Sequence, residues 1–293
     1  MPAITASRPV KRGQAARLDH LRQMEDAGAA AMVLHSPFEG QIRLESCRHD
    51  RITRQGTDIY PETLSHLPDP PEFSLGPKVC LPHLAPAKRT TGLPVIASLN
   101  GSPPGGWIRF ARQIQEAGAD ALEVNLWAIP TGPDLTGAEL EQRHVDVLGM
   151  ANQEVSIPVA VKLSPFYTNG ANLAARCDAH GANGLVLFYR FFQPAGEPET
   201  LGVSSTAPLS VPHELRLSLH WISLPFGRVN CSLAATGGSH NGTDAIKLLL
   251  AGADVTMICS ALRKHRISHR NCLEPETPER APCLHAVGVH PQG

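Results

Sequence analysis

The sequence predicts an α/β chain folded as a (β/α)8 TIM barrel, a closed parallel sheet ringed by helices, and three observations carry that prediction. First, one phrase, a glycine and small residues running straight into an apolar strand, occurs four times: Gly28-Ala29-Ala30-Ala31-Met32-Val33-Leu34, Gly118-Ala119-Asp120-Ala121-Leu122-Glu123-Val124, Gly181-Ala182-Asn183-Gly184-Leu185-Val186-Leu187 and Gly252-Ala253-Asp254-Val255-Thr256-Met257-Ile258. Second, each copy follows a helix-like stretch that ends at the Gly, where a left-handed backbone carries no Cβ penalty. Each leads into a β-rich run that reads as a buried parallel strand. Third, 293 residues suit one such barrel, which takes roughly 250, and leave too few for a substantial second domain.

The first strand has to come from Met1 to Ser7, and it is weak. A helix marked by Leu18, Leu21 and Met24 hands over to the second strand, Ala30 to Leu34. From Arg48 to Pro86 the chain carries Pro61, Pro68, Pro70, Pro71, Pro77, Pro82 and Pro86. Most of that stretch is therefore expected to lack regular structure and to form an insertion, as a lid or an oligomer contact. The third strand is Pro94 to Leu99, followed by a helix from Trp107 to Glu116. The fourth is Asp120 to Asn125, with a helix from Glu139 to Asn152. The fifth is Pro158 to Leu163, with a helix from Ala171 to His180, and the sixth is Gly184 to Phe188. A Pro/Ser/Gly-rich stretch, Pro194 to Pro212, precedes the amphipathic Glu214 to Leu224 and the seventh strand, Cys231 to Ala235. Asp244 to Leu250 is the next helix and Val255 to Ile258 the eighth strand. Arg263 to Gly293 has no apolar period of 3.6 residues and is expected to be an irregular or disordered tail. The layout is one barrel over 1–262, with 1–20 poorly defined and 48–86 an insertion, then the tail over 263–293.

Composition narrows the class of function. With 26 basic and 27 acidic side chains the formal charge is -1, which gives no global field toward nucleic acid or an anionic membrane and points to a small-molecule partner. The seven cysteines form no C-x-x-C pair and read as reduced thiols rather than disulfides or a zinc site. Cys272, Cys283, His285 and His290 match no common zinc spacing, so no metal is expected. No apolar run reaches the ~20 residues that cross a bilayer, and the first residues lack an apolar core of a signal peptide, so the expected location is cytoplasmic.

A barrel of this kind places its chemistry at the carboxyl ends of the strands. After the seventh strand comes Ala235-Thr236-Gly237-Gly238-Ser239-His240-Asn241-Gly242-Thr243-Asp244, a glycine-rich turn opening a helix. Bare amides and the positive end of a helix dipole make it an anion cradle, with Cys259-Ser260-Ala261 as the partner loop. The plainer alternative is a tight turn. In the fifth strand, Val159-Ala160-Val161-Lys162-Leu163, alternation puts Lys162 inside if the valines face the helices. A buried cation needs a partner or an electron-rich ligand, the plainer alternative being a snorkelling surface lysine. Asn125 and Asn100 end the fourth and third strands as amides able to donate and accept toward a heteroaromatic ring, although turn asparagines are also common for local backbone reasons. Together these residues suit a nucleotide-like cofactor with a polar ring at one end and a phosphate at the other.

Asn125-Leu126, Lys162-Leu163-Ser164-Pro165, and Thr236-Gly237-Gly238 through Gly252-Ala253 to Cys259-Ser260 resemble the dihydroorotate dehydrogenases, FMN-binding (β/α)8 enzymes of pyrimidine biosynthesis that turn dihydroorotate into orotate. Glu25-Asp26-Ala27-Gly28-Ala29-Ala30 and Phe38-Glu39-Gly40-Gln41-Ile42 are similar to phrases of the bacterial dihydroorotate dehydrogenase-like branch. The resemblance covers roughly Leu21 to Leu262 and implies an FMN flavoprotein, an oxidoreductase acting on CH-CH bonds. Gly237, Gly238, Cys259 and Ser260 would hold the phosphate, and Asn125 and Lys162 would contact the ring, where a lysine stabilises the negative charge of the reduced flavin. Ser36, Asn100 and Thr236 complete the expected cofactor set. Such proteins are often homodimers or pair with an iron–sulfur subunit; a homodimer is thus one expected assembly, and the residues do not select between the two.

The chain also departs from the family. Ala128, in Trp127-Ala128-Ile129-Pro130-Thr131, falls where a Cys or Ser base is expected, and a methyl group accepts no proton; Thr131 is nearby but displaced. No catalytic residue is therefore assigned. His35 stands where the family has a flavin-contacting lysine, Phe188-Tyr189-Arg190-Phe191-Phe192 where an Asn meets substrate, and Ser204 to Leu224 shows no glycine-rich phosphate loop. The flavin site is partly kept and the dihydroorotate site largely is not, so an altered substrate is expected. Two alternatives stand beside it: a non-redox phosphate-binding barrel of aldolase or synthase type with Lys162 as a Schiff-base candidate, and an inactive, decayed homologue.

Overall fold

The computed structural model describes residues 3–6, 14–34, 77–101, 106–126, 133–189, 195–197, 202–204 and 209–264. Among these, eight strands form one parallel sheet: β1 (Ala3–Ala6), β2 (Met32–Leu34), β3 (Val95–Gly101), β4 (Ala121–Leu126), β5 (Val159–Leu163), β6 (Gly184–Leu187), β9 (Ser232–Thr236) and β10 (Val255–Ile258). They are ordered β1-β10-β9-β6-β5-β4-β3-β2. The terminal strands β1 and β2 lie side by side, so the sheet curls round on itself as a (β/α)8 TIM barrel. The weak first strand is present and runs parallel to β10, Ala3 opposite Val255.

Helices α1 (Gln14–Asp26), α2 (Pro77–Thr90), α3 (Gly106–Glu116), α4 (Gly137–Glu154), α5 (Gly170–Ala179), α6 (Leu215–Ser223), α7 (Gly242–Leu250) and α8 (Ser260–Lys264) alternate with the strands. Two segments differ from the expectation. The Pro-rich stretch ends in α2 rather than irregular chain: Pro77 opens it, where a missing N–H costs nothing, and Leu84 and Ala87 bury their side chains in the core. Packing there outweighs the local cost of proline inside the helix. Within the expected loop from Pro194 to Pro212, β7 (Ala195–Glu197) and β8 (Gly202–Ser204) form a small antiparallel hairpin. The rest of 48–86 and the tail beyond Lys264 lie outside the described residues.

The four-fold phrase is a helix stop and strand start. Gly28, Gly118, Gly181 and Gly252 have φ of 79°, 93°, 86° and 107°, the left-handed region that a Cβ disfavours. Each glycine N–H donates to the carbonyl three residues back at 2.9–3.0 Å, and the next alanine N–H donates to the carbonyl five back at 3.0–3.3 Å. This is the paired bond of a Schellman cap. In three copies the following residue caps the neighbouring strand. Asp120 Oδ2 accepts from the Val95 N–H at 2.6 Å, Asn183 Oδ1 from Val159 at 2.8 Å and Asp254 Oδ2 from Leu233 at 2.8 Å. Partial burial opposes the charge on Asp120, but the Lys88 ammonium at 2.7 Å and the Val95 amide hold its carboxyl below the usual carboxylate range. The phrase thus sets both the end of a helix and the register of the strand beside it.

Alternation divides the strands between two apolar layers. Val159, Val161, Leu185, Leu187, Leu233 and Ala235 pack with Trp107, Leu148, Leu173, Ile222 and Leu248 of the helices. The intervening residues Ala160, Val186, Ala234, Val255 and Met257 pack with Val33 and Ile96 as a separate cluster inside the barrel. This inner layer floors the opening at the carboxyl ends of the strands.

Candidate functional site

Above the apolar floor the interior becomes polar on one side. On β3, β4 and β5 the inward positions are Ser98 and Asn100, Glu123 and Asn125, and Lys162, as the packing of Leu99, Leu122, Val124 and Val161 into the outer layer requires. Register places Ser98 opposite Glu123, Asn100 opposite Asn125, and Asn125 opposite Lys162. The side chains meet. Asn125 Nδ2 donates to Ser98 Oγ and to Asn100 Oδ1, each at 2.9 Å, and the Ser98 hydroxyl donates to Glu123 Oε1 at 2.8 Å. Lys162 Nζ faces the same Oε1 at 3.4 Å. Glu123 is 2% exposed and Asn125 4%, so this is a buried carboxylate–ammonium pair extended by a serine and two amides. Lys162 points inward and is an interior cation, not a snorkelling surface side chain.

The Asn125 carbonyl oxygen is buried and has no hydrogen-bond partner among the described residues. A buried acceptor left bare costs about 1–3 kcal/mol, so it is a place where a donor belongs. Beside it stands the Lys162 ammonium. An N–H donor and an electron-rich atom are the chemical complements of this pair.

The glycine-rich loop after β9 lies one strand further round, since β6 separates β5 from β9. Thr236 accepts at its carbonyl from Ser218 Oγ of α6 at 2.7 Å. Gly237 and Gly238 have φ of 95° and 74°. A Cβ on Gly238 would collide with the Leu215 backbone at the start of α6, whereas one on Gly237 would meet only Ser218 Oγ at 3.9 Å. Glycine at 238 is thus a packing requirement. Ser260 at the start of α8 accepts at Oγ from the Ser210 N–H at 2.9 Å. The segment from Ser210 to Leu215 therefore touches both loops that sequence paired. The positive end of α7 is partly satisfied from within: Asn241 Oδ1 accepts from the Asp244 N–H at 2.9 Å, and Asp244 Oδ2 accepts from the His240 N–H at 3.1 Å. The buried Ser239 hydroxyl in the same loop has no partner among the described residues and is a ready donor. Cys259 follows β10 as a partly buried cysteine.

Of the expected site residues, the structure joins Asn100, Asn125 and Lys162 by direct or shared contacts, and places Thr236, Gly237, Gly238, Cys259 and Ser260 at the ends of β9 and β10. Ser36, His35, Ala128 and Thr131 lie outside the described residues. Sequence reasoning missed Glu123 and Ser98. The signal was present, because Glu123 is a charged residue in an apolar strand two positions before Asn125 and hence on the same face. Among the described residues no group of three or more His, Cys, Asp and Glu side chains could hold a metal. Burial pushes the Cys177 and Cys231 thiols up to about 12, which keeps both protonated and unreactive.

The chain is a (β/α)8 barrel with a polar, partly buried cationic cluster at the carboxyl ends of β3 to β5. Its relatives are more specific. The chain is 29% identical over 177 residues to the catalytic subunit of dihydroorotate dehydrogenase B (NAD(+)) of Bacillus pumilus, covering 57% of this chain and 56% of that one. It is 29% identical over 184 residues to dihydroorotate dehydrogenase A (fumarate) of Lacticaseibacillus paracasei, covering 58% and 60%. The chain is thus similar to proteins named dihydroorotate dehydrogenases, and spans under two thirds of the length of these curated relatives. No family model matches it. Among solved structures, the tryptophan synthase A-subunit of the hyperthermophile Pyrococcus furiosus superposes with a TM-score of 0.54 over 92% of each chain at 14% identity, a likeness of fold.

Proposed function

We propose that this chain is an FMN-dependent oxidoreductase of the dihydroorotate dehydrogenase type, acting on a CH-CH bond of a substrate other than dihydroorotate. The observation that carries it is the bare Asn125 oxygen beside the Lys162 ammonium at the carboxyl ends of β4 and β5. Both fit the polar edge of a flavin: the oxygen needs an N–H, and the cation stabilises negative charge where the ring takes up electrons. The Ser239 hydroxyl and the backbone of Gly237 are the donors that would meet the phosphate, next to Ser260. When bound, FMN supplies hydride acceptance; the chain's residues orient the ring and compensate its charge. Relatives named dihydroorotate dehydrogenases support the reaction class, and Ala128 in place of a base supports the change of substrate.

The test is to purify the protein and measure its visible spectrum, then titrate FMN into any colourless fraction and follow flavin fluorescence. A yellow protein releasing FMN on denaturation is expected. A colourless protein that takes up no added FMN would overturn the assignment, and borohydride trapping of a carbonyl ligand on Lys162 would then favour the aldolase-type alternative. Turnover of dihydroorotate with an artificial acceptor is expected to be absent in the wild type and to appear in Ala128→Cys.

A further inference from the structure

We infer that Glu123 is the positioning residue of the barrel mouth, fixing the Lys162 ammonium directly and the Asn125 carboxamide through Ser98. The identity of the ligand rests on the flavin reading above; the orientation of the side chains does not. Glu123 lies one inward step below the rim on β4, level with Ser98 of β3 and Ala160 of β5. A serine hydroxyl has a single proton. Once that proton is given to the Glu123 carboxylate at 2.8 Å, Ser98 Oγ can only accept from its other neighbour, and it accepts from Asn125 Nδ2 at 2.9 Å. The second Nδ2 proton goes to Asn100 Oδ1 at 2.9 Å. Both amide protons are then committed to the barrel wall, and the carbonyl oxygen is left bare. A carboxylate is an acceptor with no donor, so it sets the direction of the whole chain of bonds. The same oxygen atom, Oε1, faces Lys162 Nζ at 3.4 Å and tethers the cation beside that bare acceptor. One buried charge thereby presents to a ligand an acceptor and a cation side by side, the complement of a ring edge with an N–H flanked by an electron-rich atom.

The experiment uses the full chain and two readouts. Without added ligand, hydrogen exchange of the Asn125 side-chain amide, followed by NMR, is expected to be slow in the wild type. It should speed up about tenfold or more in Ser98→Ala and in the double variant Glu123→Leu/Lys162→Met, which removes the pair without stranding either charge, because each loses an ordering hydrogen bond. With FMN, Glu123→Gln should weaken binding about tenfold, as expected for a hydrogen-bonded charge, and by less than twofold when Lys162→Met is already present. Unchanged exchange in both variants overturns the inference, and so does an equal effect of Glu123→Gln with and without Lys162. A wild-type protein that binds no FMN refutes the flavin reading alone, and the exchange arm then still decides the role of Glu123.

Discussion

Replacing Gly238 by alanine separates the two duties that a diglycine turn can have. Gly237 and Gly238 are both left-handed, at φ 95° and 74°, so alanine at either position carries the backbone penalty of about 1–2 kcal/mol. Only Gly238 adds a collision. Its new methyl would lie 2.6 Å from Leu215 Cα and 2.7 Å from Glu214 C, backbone atoms that cannot rotate aside, whereas the methyl on Gly237 would find Ser218 Oγ at an ordinary 3.9 Å. Overpacking of this kind costs a further ~1–3 kcal/mol, since α6 must shift away from the loop. Gly238→Ala should therefore destabilise by about 2–5 kcal/mol and Gly237→Ala by about 1–2 kcal/mol. Urea unfolding followed by circular dichroism reads both. If the two variants agree to within about 0.5 kcal/mol, the close approach of α6 is wrong, and with it the placement of the Ser210 to Leu215 segment between the two loops.

His144 and the strand-capping residues offer further tests. On α4, His144 is 5% exposed, its Nδ1 lies 3.1 Å from the Tyr167 hydroxyl, and burial pulls its imidazole down to about 4. The unfolded imidazole takes its proton near 6.5, so between those values the unfolded state binds more protons and stability falls as pH drops, by up to about 3 kcal/mol. Urea unfolding at pH 7 and pH 4.5 should show that loss, and His144→Leu should flatten it; an equal slope in the variant would clear His144 of the effect. Asn183→Ala and Asp254→Ala each remove the acceptor for an amide at the start of a neighbouring strand and should each cost about 1 kcal/mol in thermal or urea unfolding. Neither should alter FMN binding, because both lie at the amino ends of the strands, away from the mouth.

The sequence carried the frame of this fold because its local signals agree with its global one. The glycine phrase ends helices by left-handed geometry alone, and a parallel strand inside a barrel is apolar on both faces, so both marks are written in consecutive residues. Lys162 was half legible for the same reason: alternation puts it on the face opposite Val159 and Val161, and the packing of those valines against the helices makes that face the inner one. What was not legible depends on neighbours from elsewhere in the chain. Glu123 stood in plain view, but its partners Ser98 and Lys162 come from two other strands, and only the register between them brings the three together. The packing requirement at Gly238 comes from Leu215, which belongs to another helix. The prolines of α2 argued against a helix that Leu84 and Ala87 hold in place through the core. Local propensity was outweighed there by burial, of the order of 1.5–3 kcal/mol for a side chain the size of leucine.

The division of polarity inside the barrel gives the mouth its chemical meaning. Above Ile96 and Ala160, strands β3 to β5 contribute Ser98, Asn100, Glu123, Asn125 and Lys162, whereas β6, β9 and β10 contribute Val186, Ala234, Val255 and Met257, with Thr236 as a polar residue on that side. Packing alone does not account for this asymmetry. Replacing a buried ion pair by apolar side chains of similar volume is often neutral or stabilising, so an interior built only to hold the barrel together would gain nothing from Glu123 and Lys162. Nor would it leave the Asn125 oxygen bare, since a small apolar residue there would cost less than an unsatisfied acceptor. The arrangement becomes economical once a ligand is included, with its polar edge against β3 to β5 and its apolar body over the valines and Met257. On that view the stability lost in keeping the pair is returned as affinity, and the double variant Glu123→Leu/Lys162→Met should unfold no more readily than the wild type while binding FMN more weakly.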